Sequence, residues 1–289
     1  MNCLILINKP KGITSFSALS EIKKKMPRIR VGHTGTLDKF AQGLLLVLTG
    51  GYTRLTNFFL QLPKSYRAII YLGKETSTLD PEGEITAEGN LPEYESIIVA
   101  LNDFKGHMLQ VPPQYSALHI KGKRAYQYAL KGEKAELKAR PITIFNNKLV
   151  DYKPPFLTVE ISCSTGTYIR AVARDLAYKL NTYAHVWELS RLEIGPFHLS
   201  AAVTLKQFDP CLHLVGAVDF IKKIAGLGYL TVQDQYQELI FNGVGLKDFY
   251  FQETEITPGL YAIFTVKDKL IAVVKKTEGN YRYHLVVRE

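Results

Sequence analysis

The stretch from Gly32 to Gly51, GHTGTLDKFAQGLLLVLTGG, constrains this chain more than any other. Gly32, Gly35, Gly43 and Gly50 punctuate it, which suits backbone that turns sharply or approaches a neighbour closely. Between Gly43 and Gly50 run Leu44, Leu45, Leu46, Val47 and Leu48, short and apolar enough for a buried strand. The part before it is polar and irregular, and holds one carboxylate, Asp38, and one imidazole, His33. A carboxylate on a glycine-bounded loop beside a buried segment suits a catalytic group. Taken by residue type alone, an aspartate closing an Asx turn fits still better.

A chain of 289 residues can bury a large core in one or two domains. No apolar run reaches the roughly 18 residues of a membrane span. The N-terminus passes from Leu4-Ile5-Leu6-Ile7 into Lys-Pro-Lys-Gly, which is not a signal-peptide layout. Cys3, Cys163 and Cys211 lie far apart, and the histidines show no paired ligand spacing, so neither a disulfide framework nor a metal site is expected. The expectation is a soluble, cytoplasmic, metal-free monomer. The net charge of +9 suits a polyanionic partner. Residues 211–289 carry nine Lys/Arg and nine Asp/Glu, so the whole excess lies in residues 1–210. A merely well-solvated basic surface has the same composition.

Residues 4–7 read as a strand, and Thr14 or Ser15 can cap a helix with Phe16, Leu19, Ile22 and Met26 on one face. Its end is basic (Lys23, Lys24, Lys25, then Arg28 and Arg30), as suits a helix C-terminus or a phosphate contact. Arg54–Leu60 suggests a short helix, and Tyr66–Leu72 alternates like a half-buried strand. Residues 74–95 are polar and turn-rich, an exposed excursion. Lys121, Lys123 and Arg124 interleave with Tyr126 and Tyr128, a mixture suited to stacking and phosphate contact. Leu157–Cys163 alternates as a strand and meets Ser164-Thr165-Gly166-Thr167, then a helix with Ile169, Val172, Leu176 and Leu180 inward. Tyr168 and Arg170 therefore stand at a strand-to-helix junction. Three short strands are expected at Leu260–Val266, Leu270–Val274 and Tyr281–Val287.

The pattern G-H-T-G-T-L-D-x-x-A-x-G-x-L resembles the catalytic loop of the TruB-type tRNA pseudouridine synthases. Further blocks resemble the same family: KPKGITS near the N-terminus, Lys-Ser-Tyr-Arg at 64–67, Pro-Pro-Gln-Tyr-Ser-Ala at 112–117, Ala-Arg-Pro-Ile at 139–142, C-S-T-G-T-Y-I-R at 163–170 and Glu-Leu-Ser-Arg-Leu at 188–192. The resemblance implies an α/β (α+β) core with a mixed, largely antiparallel sheet flanked by helices, here residues 1–210. Residues 211–289 would then form a small β-rich, PUA-like module. It implies Asp38 as the essential carboxylate, Arg170 as its ion-pair partner and Tyr66 against the target base. His33 and Leu189 would contact substrate, Lys9 of the opening motif would join them, and Tyr168 would offer a second aromatic wall. Several positions depart from the family: Lys39, Phe40 and Gln42 stand for the usual Pro, Leu and Thr, Leu46 for a second Pro, and Asn8 for an acidic residue. The loop has thereby lost a φ restraint and gained a cation.

The implied reaction converts uridine-55 in the T loop of tRNA to pseudouridine. The uridine N1–C1′ bond breaks, the base turns, and C5 joins C1′, so no cofactor is needed. One ionised carboxylate serves, by covalent attack or by removing a proton on the way to a glycal. Net glycoside hydrolysis usually asks for a second carboxylate, and none lies close in sequence. A tRNA-binding or folding protein without catalysis would share the basic surface, and a nucleosidase would share Asp38.

Overall fold

The computed structural model describes residues 1–116, 118–120, 123–129, 133, 135–224 and 226–287. The chain opens with β1 (Leu4–Lys9), α1 (Ser15–Lys25), β2 (Val31–His33), β3 (Gln42–Thr49), α2 (Thr56–Leu60) and β4 (Lys64–Leu72). A hairpin, β5 (Lys74–Thr76) and β6 (Ile85–Glu88), precedes α3 (Tyr94–Asp103) and β7 (Gly106–Gln110). After the short β8 (His119–Ile120), β9 (Lys123–Arg124) and α4 (Ala125–Ala129) come two long strands, β10 (Arg140–Lys153) and β11 (Phe156–Cys163). Next are α5 (Ile169–Lys179), β12 (Ala184–Ile194), β13 (Phe197–His198) and β14 (Val203–Thr204). The C-terminal part holds α6 (Ala217–Ile221), β15 (Leu227–Thr231), α7 (Gln237–Phe241), β16 (Gly259–Phe264), β17 (Leu270–Thr277) and β18 (Asn280–Val286).

Among the described residues the main sheet runs β14-β1-β3-β12-β4-β11-β10-β7, with β2 on β3 and β13 on β12. Only β14 with β1 and β12 with β3 pair in parallel, so the sheet is mixed and largely antiparallel. β4 and β11 alternate as their sequences dictate: Tyr66, Ala68, Ile70 and Leu72, with Leu157, Val159, Ile161 and Cys163, turn to one face. There they meet Ile97, Ala100 and Leu101 of α3 and Ile169, Val172, Ala173 and Leu176 of α5, with Leu180 at the edge. β3 is buried from Gly43 onward and shows no alternation. Its Leu44, Leu46 and Leu48 enter one core and Leu45 and Val47 another, because both faces of the strand are covered.

Two expectations are corrected. Phe16 is 72% exposed, and the inward face of α1 is Ser15, Ala18, Leu19 and Ile22. The spacing of that face is i, i+3, i+4, i+7 from Ser15, whose hydroxyl donates to the Leu37 carbonyl at 3.0 Å. Residues 74–95 are not simply an exposed excursion. The turn between β5 and β6 folds inward, burying Thr76, Leu79 and Asp80. Lys121 and the side chains of Lys123, Arg124 and Tyr126 lie outside the described residues.

The C-terminal part forms its own sheet, β15-β16-β17-β18, and includes one strand, β15, that the sequence reading does not mark. Leu4 and Val215 exchange backbone hydrogen bonds in both directions (3.1 and 2.8 Å), which ties the connecting segment to the first strand. Phe220, Phe264, Val273 and Leu285 share one apolar cluster with Leu44, Leu46, Phe59 and Phe197.

Gly43 sits where β3 crosses to β12, at φ +108°, and a Cβ there would run into the backbone of Arg191. Strain at positive φ and the clash act together, so Gly43→Ala should cost about 2 kcal/mol or more, read from the urea-unfolding midpoint at unchanged slope.

Candidate active site

A cleft of about 660 Å³ opens between the Gly35–Asp38 loop, the start of β4, the turn from β11 into α5, and β12. Asp38, Tyr66, Tyr168, Arg170 and Leu189 all line it. Asp38 reaches it from a loop, with its side chain 40% exposed. Arg170 reaches it from the first turn of α5 and is almost fully buried. The Arg170 Nε forms an ion pair with Asp38 Oδ2 at 3.0 Å. Both terminal nitrogens have partners as well. Nη1 donates to the Thr78 carbonyl (2.9 Å) and faces Asp80 Oδ2 (3.3 Å), while Nη2 donates to the Tyr115 carbonyl (2.9 Å).

Asp80 is thus a second carboxylate at the site, which spacing along the chain does not reveal. It is buried, and its Oδ1 accepts from Thr78 Oγ1 (2.5 Å) and from the Glu82 amide (3.0 Å). Burial pushes its carboxyl upward, and the bonds from Thr78 and the charge of Arg170 oppose that. Asp80 holds the buried side of the fork while Asp38 faces the cleft. A planar guanidinium suits this shared task because its donors are fixed in a fork.

The Gly35–Asp38 loop is held by side chains rather than by regular pairing. Arg191 of β12 is buried and donates to the carbonyls of Leu44 (2.7 Å), Thr36 (3.3 Å) and Gly35 (3.3 Å). Ser15 Oγ accepts from the Leu37 amide (2.9 Å) as well as donating to its carbonyl. The Gly12 amide donates to the Lys39 carbonyl at 2.8 Å. These groups satisfy an irregular backbone that would otherwise be left unpaired. The departures from the family pattern are absorbed the same way. Lys39 pairs with Glu82 (3.1 Å), Phe40 and Leu46 are buried, and Gln42 Nε2 donates to Ser190 Oγ (3.1 Å). The Lys39–Glu82 pair joins the loop bearing Asp38 to the loop bearing Asp80.

Not every residue expected at the site is brought into the cleft. Lys9 is fully buried, and its Nζ donates to the carbonyls of Pro10 (2.9 Å), Ile13 (2.8 Å) and Ala41 (2.7 Å). Its expected place as a substrate contact is therefore corrected to that of a clamp on the end of the Asp38 loop: a strongly hydrated ammonium is buried only where carbonyls replace its water. His33 ends β2 outside the cleft lining, and its Nδ1 accepts from the Gly35 amide (3.3 Å). Burial and the charge of Arg191 push its imidazole below the ordinary value, which favours the neutral ring. Tyr66, directly across from Arg191 on the paired strands, has its phenol pushed up by burial. Lys64, which the sequence reading left without a part, also lines the cleft. Burial and Arg191 bring its ammonium down to about 8, and Nζ donates to the Leu60 carbonyl (2.6 Å). Among the described residues, no group of three or more His, Cys, Asp or Glu side chains could hold a metal, and no helix is long and apolar enough to cross a membrane.

Residues 23–169 match the family described as TruB family pseudouridylate synthase, N-terminal domain. A protein named tRNA pseudouridine synthase B from Borreliella burgdorferi (strain ZS7) is 38% identical over 289 residues, covering 99% of each chain. The protein of that name from Aquifex aeolicus is 41% identical over 212 residues, covering 72% of this chain and 74% of its own. A chain from the crystal structure of a Cbf5-Nop10-Gar1 complex has the same fold, with a TM-score of 0.72 at 23% identity, covering 99% of this chain and 84% of that one. The fold, the cleft and these likenesses define an enzyme of the pseudouridine synthase class, an isomerase. Within that class, the chain belongs to the TruB family.

Asp80→Asn would leave Arg170 with a weaker buried partner and free it to swing from Asp38. Turnover should fall roughly 10²-fold, as expected for a misplaced reacting group, with the far-UV circular dichroism unchanged. Lys64 gives a separate pH signature. Its folded-state value of about 8 lies below the ordinary 10.5, so the unfolded chain holds more protons between these values. Its contribution to stability therefore rises with pH across that window. Urea midpoints followed through the window should lose that rising component in Lys64→Met.

Proposed function

We propose that this enzyme converts uridine-55 in the T loop of tRNA to pseudouridine, with Asp38 as the acting carboxylate. The observation that carries the reading is the half-exposed Asp38 carboxylate, fixed by a buried guanidinium and facing a cleft lined by Tyr66 and Tyr168. The relatives named tRNA pseudouridine synthase B support tRNA as the RNA. The basic excess in residues 1–210 suits a phosphate backbone docking on that part of a cytoplasmic monomer.

A uridine stacked inside a folded loop cannot reach Asp38, so it is everted at a cost of a few kcal/mol. Stacking on an aromatic side chain returns roughly 1–3 kcal/mol, enough to offset much of that cost. Tyr66 is the platform for the base. Tyr168 and Leu189 close the pocket around it, and His33, next to the catalytic loop, contacts the RNA strand the base has left. The ionised Asp38 then attacks C1′ or removes a neighbouring ribose proton, and the N1–C1′ bond breaks. The freed uracil stays in the cleft as its anion, turns, and bonds C5 to C1′ as the Asp38 ester is displaced or the ribose proton is returned; C5 then gives up its proton and N1 takes one, so the product is an isomer of the substrate. Water is the competitor at this stage, and the buried Asp80 is turned toward Arg170 rather than placed to activate one.

Incubation with an unmodified tRNA transcript, followed by mapping of pseudouridine, tests this directly. Wild-type protein should produce pseudouridine at position 55, and Asp38→Asn should produce none while still binding the transcript. Free uracil as product, or full turnover by Asp38→Asn, would refute the reading. Arg170→Lys keeps the charge but has no fork to span Asp38, Asp80 and two carbonyls. It should keep its fold and lose most activity, by roughly 10²-fold or more.

A further inference from the structure

Buried polar groups in folded proteins nearly always have a partner, so each exception calls for an explanation. Among the described residues, four buried side-chain atoms have none: Thr34 Oγ1, Glu75 Oε2, Ser116 Oγ and Thr167 Oγ1. They are not scattered. Ser116 and Thr167 line the catalytic cleft, Thr34 belongs to the catalytic loop, and Glu75 lines the neighbouring cavity, which shares Tyr115 as a wall.

Ser116 is the sharpest case. The residue is only 4% exposed, so bulk water does not serve its hydroxyl. Its position is fixed by the machinery already described. The carbonyl of Tyr115, one residue earlier, is held by Arg170 Nη2 at 2.9 Å, and the same guanidinium holds Asp38 through Nε at 3.0 Å. Pro112 and Pro113, both buried, stiffen the same approach further upstream. A buried hydroxyl without a partner thus belongs to a residue that lines the cleft, on backbone anchored to the cation that pairs with Asp38.

We propose that Ser116 is a substrate contact whose hydroxyl hydrogen-bonds the polar edge of the pyrimidine held in the cleft. The proposal rests on the reading above that the cleft takes a uridine. Uracil presents two carbonyl acceptors and one N–H donor, and a hydroxyl can meet either kind because it both donates and accepts. The bond is missing in the free protein and forms only with the base in place. Its stabilisation therefore goes to the complex and not to the fold. A serine that served the fold would have a partner in the free chain.

The two roles separate in a single variant. Ser116→Ala removes a buried hydroxyl that bonds to nothing in the free protein, so its thermal midpoint should equal or exceed that of wild type. On an unmodified tRNA transcript its kcat/KM should fall about tenfold, the size of one neutral hydrogen bond. Ser116→Cys, close in volume but a weaker donor, should fall between the two. Wild-type kcat/KM in Ser116→Ala, or a lowered thermal midpoint, would overturn the contact while leaving the reaction intact. Absence of pseudouridine with the wild-type enzyme would instead overturn the uridine reading, and the contact with it.

Discussion

The guanidinium of Arg170 is the point on which the active site hangs. A buried cation is tolerated only when its donors are all met, and here the acceptors come from separate stretches of chain. Asp38 comes from the loop after β2, Thr78 and Asp80 from the turn between β5 and β6, and Tyr115 from the segment after β7. None of these pieces is regular secondary structure. They are held together because each answers part of one planar charge, and the charge stays desolvated because they surround it.

Outside that centre, a second tier does the same for the backbone of the Asp38 loop. Lys9, Ser15 and Arg191 lie on regular elements and close the open main-chain groups of Gly35, Thr36, Leu37 and Ala41. The loop is therefore rigid without being helix or strand. Lys39 is held there by a hydrogen bond to its carbonyl from Gly12 and by an ion pair to Glu82.

Much of this was legible in the sequence, for physical reasons that differ by residue. Alternation marks β4 and β11 because one face of each is buried against α5, and the unbroken apolar run marks β3 because both its faces are. The position of Arg170 just inside a helix start follows from the strand, glycine turn and helical period around it. Phe16 misleads because the position beside it, Ser15, faces inward and bonds Leu37, a polar contact that apolar periodicity does not register. Asp80 is hidden by its company, since Asp-Pro-Glu-Gly reads as solvent-facing turn and only the fold brings it under Arg170. Lys9 and Arg191 are anonymous for a related reason. A cation that satisfies carbonyls looks, in sequence, the same as one that meets phosphate.

The C-terminal sheet does not sit apart from the catalytic part. Phe220, Phe264 and Leu285 interleave with Leu44, Leu46 and Phe197, so the two sheets own one greasy interior in common. Such a join behaves as a keel rather than a trailer. The strand that follows the Asp38 loop is propped from behind by residues far downstream in sequence, so the seat of that loop depends on apolar packing from both sheets.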